Sequence, residues 1–196
     1  MSVLLDLMGS TFIGGILLLL VLKMNLFITN AGFTSDSELK LQQSAKTLAE
    51  ILNYDLRKIG YNHDKSSGSP FITVNDSVIE FKADVVPVYG DGTTETIKYY
   101  VGEPELIMGQ SFRVLKRSVN GTEDMAGPSL GLVKLNFSYL DSVSQTIADP
   151  QSSLSKINYV KTELWVEPEI PFDNFTTGVR DSIYTYWELI INPRNL

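Results

Sequence analysis

The hydrophobic pattern of the chain shifts from a continuous apolar run to a helical stripe, and then to strand-like alternation. Residues 3–33 are almost wholly apolar, and Lys23 is the one charge between Asp6 and Asp36. About 20 apolar residues suffice to carry a helix across a hydrocarbon layer of ~30 Å. Beyond this run Leu41, Ala45, Leu48, Leu52, Leu56 and Ile59 recur three or four residues apart. Lys40, Gln43, Lys46, Glu50 and Arg57 fall largely elsewhere, so the segment predicts an amphipathic helix with one buried face. Ser35 and Glu38 match a Ser-x-x-Glu capping box. With Asn30, Gly32 and Thr34 just before it, the box predicts a break or bend ahead of this second helix. Gly60 marks its end, with Arg57 and Lys58 in the last turn.

After the polar loop His63–Pro70 the pattern turns to short β segments near 71–74, 78–83, 95–101, 112–118, 130–139, 156–166 and 183–191. Their alternation nominates Val78, Phe81, Ile97, Tyr99, Val114, Leu132, Leu135, Phe137, Tyr139, Val160, Leu164 and Val166 for the core. Turn chemistry separates the strands at Asn75-Asp76, Gly90-Asp91-Gly92, Asn120-Gly121 and Asp149-Pro150. Long helix first and strands afterwards predict an α+β fold, a helix packed on an antiparallel sheet. The boundaries read as a membrane helix over 1–33, an amphipathic helix over 34–62 and a β-rich head over 63–196.

The apolar run reads best as a retained membrane helix. A cleaved secretory signal has a basic start, whereas this run is preceded by no Lys or Arg and contains Asp6. A core helix is rarely so long and so apolar. Lys23 can extend its ammonium to the headgroups. Asp6 has less reach and costs about 2.5–3.5 kcal/mol at the bilayer centre, less near an edge. It sits either in the headgroups or against a positive group on a neighbouring subunit. Gly9, Gly14 and Gly15 would admit close approach of another helix, although glycine is also simply common in membrane helices. The basic residues give little guide to orientation, since Lys23, Lys40 and Lys46 all lie within or after the run.

Composition narrows the chemistry. A net charge of −7 argues against nucleic-acid binding, which needs clustered Lys and Arg. The chain has no Cys, so thiol catalysis, thiolate metal sites and disulfides are excluded. His63, the single His, lies in a polar loop and reads as a surface residue. No nucleophile elbow, phosphate loop or His-Glu-x-x-His motif occurs. Glu103/Glu105, Glu123/Asp124 and Glu167/Glu169 match no calcium loop and read as solvated charge. Sequons begin at Asn75, Asn120, Asn136 and Asn174 and matter only in a glycosylating compartment. Trp165 and the Tyr184-Thr185-Tyr186-Trp187 cluster read as half-buried sheet residues or, alternatively, as a binding surface. No catalytic residue, cofactor or metal is expected.

The order of a membrane helix, an amphipathic helix and a β domain resembles type IV pilin-like proteins. The string Tyr54-Asp55-Leu56-Arg57-Lys58-Ile59-Gly60-Tyr61 resembles the helix end of minor pilins of the PilW type and of the J-type pseudopilin of type II secretion. VIEFKADV, TIKYYVG, VLKRSVNG, VKLNFSYLDS and INYVKTELWVEPE follow in the order of their strands, and the closing Pro193-Arg194-Asn195-Leu196 is similar as well. The family carries a basic leader ending in Gly and a Glu a few residues into the mature helix. Cleavage after Gly9 would start the mature chain at Ser10 and place Gly14 at the Glu position. Removal of Met1 alone would expose Ser2 and place Asp6 there, which is the favoured reading.

The resemblance implies a non-enzymatic minor pilin or pseudopilin that helps initiate or cap a type IV pilus-like or type II secretion filament. Its partners would be other pilin-like subunits, its N-terminal helix would lie in lipid, and it would bind no nucleic acid. The expected location is the bacterial inner membrane with the head extracytoplasmic, and then the filament or cell surface. Asp6 would pair with the terminal amine of an adjacent subunit. Two rival classes are a monomeric membrane-anchored binding module of adhesin type and a tethered hydrolase built on paired carboxylates.

Overall fold

The computed structural model describes residues 2–85, 92–107, 109–124, 130–168, 172–173, 180–181 and 184–196. One helix, α1 (Ser2–Leu56), opens the chain. The strands that follow are β1 (Phe71–Val74), β2 (Val78–Ala83), β3 (Glu95–Val101), β4 (Glu105–Ile107), β5 (Gln110–Phe112) and β6 (Leu115–Val119). Then come β7 (Thr122–Asp124), β8 (Leu132–Leu140), β9 (Tyr159–Val166), β10 (Phe172–Asp173), β11 (Arg180–Asp181) and β12 (Thr185–Ile191). Contacts divide the chain into two units. One holds residues 1–39 and 172–181, the other 40–171 and 182–196.

In the first unit α1 runs through Asn30–Thr34 without the expected break. Threonine hydroxyls at both ends of this stretch bond back to the helix itself. Thr29 Oγ1 donates to Asn25 O at 2.9 Å and Thr34 Oγ1 to Asn30 O at 3.0 Å, back-bonding that lets such residues sit mid-helix. Ser35 and Glu38 therefore cap nothing, because a capping box acts on free N–H groups and the helix does not begin there. Described side chains from Val3 to Thr29 are all exposed. The hairpin β10–β11 belongs to this unit and pairs Phe172 with Asp181 and Asp173 with Arg180.

The second unit is an α+β domain. The last turns of α1 pack on antiparallel sheets through the expected stripe: Leu41, Ala45, Leu48, Leu52 and Leu56 are buried, and so is Ile59 just past the helix. Full burial of a leucine side chain contributes about 1.5–3 kcal/mol, so the stripe is a large share of the core. The strands form a five-stranded sheet, β1-β2-β3-β6-β7, and a three-stranded sheet, β12-β9-β8, with β4–β5 as a separate hairpin. One cluster joins the helix stripe to Phe81, Ile97 and Tyr99 of the larger sheet and to Leu135, Phe137, Tyr139, Val160, Leu164 and Val166 of the smaller.

Helix α1 ends before Gly60. Lys58 N–H bonds Asp55 O at 2.9 Å and Ile59 N–H bonds Leu56 O at 3.4 Å, a tightened final turn, so Arg57 and Lys58 lie past the helix. Gly60 has φ +77°, and a Cβ there would meet Asn195 O at 2.6 Å. Its N–H donates to Lys82 O at 2.9 Å and so joins the helix end to β2.

Strands near 71–74, 78–83 and 95–101 lie where expected. The segment 112–118 instead divides into β5 and β6. Phe112 closes β5 and is buried, which leaves Val114 half-buried in the connection, and Val78 at the start of β2 is half-buried too. Residues 151–156 form a 3-10 segment ahead of β9. From it Gln151 accepts from Val74 N–H at 2.8 Å and donates to Ile72 O at 3.0 Å, covering the free edge of β1. Asn120 and Gly121 both have positive φ, 52° and 81°, as a two-residue hairpin turn requires between β6 and β7. Gly90 and Asp91 lie outside the described residues, as do Ser182 and Ile183.

Asp55 carries a charge into this core. It is buried at 2% exposure beside Leu56; Tyr99 OH donates to its Oδ2 at 2.8 Å and Arg117 Nε at 2.7 Å. Burial raises the Tyr99 pKa, and Asp55 adds to the rise. Burial works against the charge on Arg117, but Asp55 beside it more than compensates and the guanidinium is held above its ordinary value. Removing one partner of a buried, hydrogen-bonded charge is costly. Asp55→Ala is expected to destabilise the domain by about 2–3 kcal/mol and Tyr99→Phe by about 1 kcal/mol in chemical denaturation. Equal, near-zero losses would show that the bonds contribute nothing net.

Candidate functional site

Each candidate of the first unit lies on one exposed helix. Asp6 is exposed, and nothing lies within 4 Å of a Cβ built on Gly9, Gly14 or Gly15. At 3.6 residues per turn Gly9 projects about 60° from Asp6, whereas Gly14 and Gly15 project about 140° and 240° from Gly9. The three glycines thus do not line one stripe; Asp6 and Gly9 share a side. Lys23 is exposed as well. Among the described residues this is the one helix long and apolar enough to cross a membrane. Its most apolar stretch has mean hydropathy 2.2, and the described residues bury none of that stretch.

In the second unit the outward face of the three-stranded sheet gathers the polar and aromatic residues. The register places Asn136, Glu163 and Glu188 in one row and Lys134, Trp165 and Tyr186 in the next. Asn136 Nδ2 donates to Glu163 Oε2 at 2.9 Å, and Tyr186 OH lies 2.9 Å from Glu163 Oε1 and 2.8 Å from Glu188 Oε2. Lys161 Nζ stands 3.2 Å from each of these two glutamates. The Trp165 and Tyr186 rings are 5.1 Å apart, and Lys134 Nζ lies 4.7 Å above Trp165. A cation over an indole that stays partly open to water adds ~0.5–1 kcal/mol.

The aromatic cluster divides. Trp165 is half-buried, but Tyr184 is 63% exposed, Tyr186 43% and Trp187 36%, so β12 offers more aromatic surface than its alternation implies. Asn136 uses its amide nitrogen within the sheet, and Asn75 Oδ1 accepts from Val78 N–H at 2.7 Å to hold the β1–β2 turn. Asn174 and Glu169 lie outside the described residues. His63 is half-buried, with Nε2 3.2 Å from Gly68 O. Among the described residues no three His, Cys, Asp or Glu side chains converge as metal ligands.

Two arrangements escape a reading of the sequence. The Asp55–Tyr99–Arg117 link had one visible signal: Asp55 lies three residues after Leu52 and so falls on the apolar stripe. Lys161, Glu163 and Glu188 alternate outward on neighbouring strands, but only the β9–β12 register brings them together.

Glu163 is held below the ordinary carboxylate range by the Asn136 amide, with Tyr186 and Lys161 assisting against its partial burial. Glu188 is lowered by Tyr186 and Lys161, and Lys161 is raised by Glu163 and Glu188. The unfolded chain therefore takes up protons on these glutamates before the folded chain does. Their contribution is complete above the unfolded value of ~4.3 and is lost as pH falls through the folded values. The melting temperature of the full chain in detergent is expected to fall on acidification below about pH 4.3, and less steeply in Glu163→Gln. Identical pH curves would remove Glu163 from the linkage.

No protein-family model, curated protein or solved structure matches the chain, so its functional reading rests on its own residues.

Proposed function

We propose that the chain is a membrane-anchored structural subunit, a minor pilin or pseudopilin of a type IV pilus-like or type II secretion filament. The observation that carries the reading is the division of labour along α1: its first half exposes apolar side chains on every side, and its last turns bury a single stripe on antiparallel sheets. An apolar helix left unburied by the described residues of its own chain needs lipid or other helices around it, and a filament subunit uses both in turn. In this reading the apolar half lies in the bacterial inner membrane, the head is extracytoplasmic, and the partners are other pilin-like subunits. Asp6 pairs with the terminal amine of a neighbour and fixes the axial register.

Exposed Tyr184, Tyr186 and Trp187 favour, as a second reading, an anchored binding module of adhesin type. The two separate on deletion of residues 1–33, which abolishes assembly of a filament subunit but leaves ligand binding by a module intact.

Truncating one member of a desolvated charge pair costs about 2–5 kcal/mol, more than tenfold in association. Full-length Asp6→Ala, produced with its native membrane partners, should recover at least about tenfold less of any co-purifying single-helix subunit than the unaltered chain. Asp6→Glu should recover most of it, with membrane insertion unchanged in both. Absence of any such subunit from the unaltered preparation would overturn the filament reading.

A further inference from the structure

The two outer edges of the three-stranded sheet carry complementary features. At the β12 edge a cleft of about 570 Å³ is lined by Asn53, Arg57, Ile190, Ile191, Asn192 and Arg194. Arg57 and Arg194 are exposed and form no ion pair among the described residues, although the whole chain carries a net charge of −7. Ile190, which also lines the cleft from the outward face of β12, is 53% exposed. Two guanidiniums with no ion-pair partner among the described residues share one strand edge with an open isoleucine. They form a receptor for carboxylates next to an apolar side chain, because a guanidinium offers its donors in a fork that fits a carboxylate.

The opposite edge presents that combination. Hairpin β4–β5 lies beside β8, where Arg113 N–H donates to Leu132 O at 2.7 Å, and its Phe112 is buried. It projects Glu103, Pro104, Glu105 and Leu106, all exposed, with Leu106 at 80%. Neither glutamate forms an ion pair among the described residues; Lys116, whose charge Glu105 feels, is paired with Glu123. An open leucine preceded by two carboxylates that are unpaired among the described residues is what the cleft lacks.

We propose that the β12-edge cleft receives the Glu103–Leu106 segment of a second copy of this chain. Arg57 and Arg194 take the two carboxylates, which brings Leu106 to the β12 edge at Ile190. The receptor lies at the β12 edge of the three-stranded sheet, and the donor hairpin, a separate two-stranded sheet, lies beside β8 at the other edge. The contact is therefore head-to-tail and leaves one copy with a free donor and the other with a free receptor. The inference deepens the filament-subunit reading by naming a homotypic contact between heads.

Absence of native cysteine permits a clean test. Full-length Leu106→Cys and Ile190→Cys chains carrying different tags are co-expressed in membranes and treated with a short thiol-to-thiol cross-linker. The expected product is a mixed-tag dimer, about tenfold above that from a Val143→Cys and Ile190→Cys control pair, whose Val143 is also exposed. Arg57→Glu/Arg194→Glu in the Ile190→Cys chain should reduce the dimer to control level, and Glu103→Arg/Glu105→Arg in its partner should restore it. Cross-linking no higher than control, insensitive to charge reversal, or directed to a different protein overturns the proposal. Co-purifying single-helix subunits are scored in the same preparation. Their presence without the cross-link overturns the homotypic contact alone, and the cross-link without them overturns the filament reading alone.

Discussion

The buried carboxylate of Asp55 constrains the head more tightly than any apolar contact. It lies in the last turn of α1 and accepts from Tyr99 on β3 and Arg117 on β6, two neighbouring strands of the five-stranded sheet. Apolar packing by Leu48, Leu52 and Leu56 drives the helix onto the sheets, but such packing is non-directional and tolerates sliding. An ionised carboxylate that has left water does not tolerate it, because losing either donor exposes the full desolvation cost. The stripe therefore supplies the attraction and Asp55 the position. Once the helix end is fixed, Gly60 delivers its N–H to Lys82 O, and the chain's last residues pass against Gly60 so closely that a Cβ there would strike Asn195.

That fixed position is what places Asn53 and Arg57 next to β12. Asn53 is one turn ahead of Arg57, and both flank the end of the stripe; Ile191 on the inner side of β12 is buried in the same core. The cleft thus depends on the same docking that Asp55 directs. On the other side of the sheet face, the Glu163–Lys161–Glu188–Tyr186 network ties β12 to β9 by side chains as well as by the backbone ladder. An edge strand held twice makes a stiffer wall for a binding cleft than one held by its ladder alone.

Local pattern made the helix stripe and the first three strands legible, because each is decided by periodicity and by turn residues within its own segment. The stripe from Leu41 to Ile59 and the turn at Asn120-Gly121 are of this kind. Where tertiary context decides, local signals mislead. Asn30, Gly32, Thr34 and the Ser35–Glu38 box carry the marks of a helix boundary, but hydroxyls that bond back to their own helix satisfy the same groups without one. Phe112 and Val114 both suit a strand, and only the division into β5 and β6 determines that Phe112 is the buried one. The charged constellations were the least legible, since Asp55 and Arg117 are far apart in the chain and meet through strand register. For the same reason the two edges of the three-stranded sheet could not be compared before its strand order was known.

The same reasoning separates the two kinds of polar group that an assembling helix can carry. Lys23 has a long stem, so its charge can leave an apolar surrounding without moving the helix. Asp6 has a single methylene and cannot, so in lipid or among packed helices its charge must be neutralised where it stands. With Gly9 on its side of the helix and no Cβ there to hold a neighbour away, the helix can be approached most closely beside its least tolerable charge. A partner that brings a cation to that point relieves a cost that lipid leaves in place. The pairing would therefore be selective for the one axial offset that achieves it, in the same way that Asp55 is selective for the one placement of the helix end against Tyr99 and Arg117.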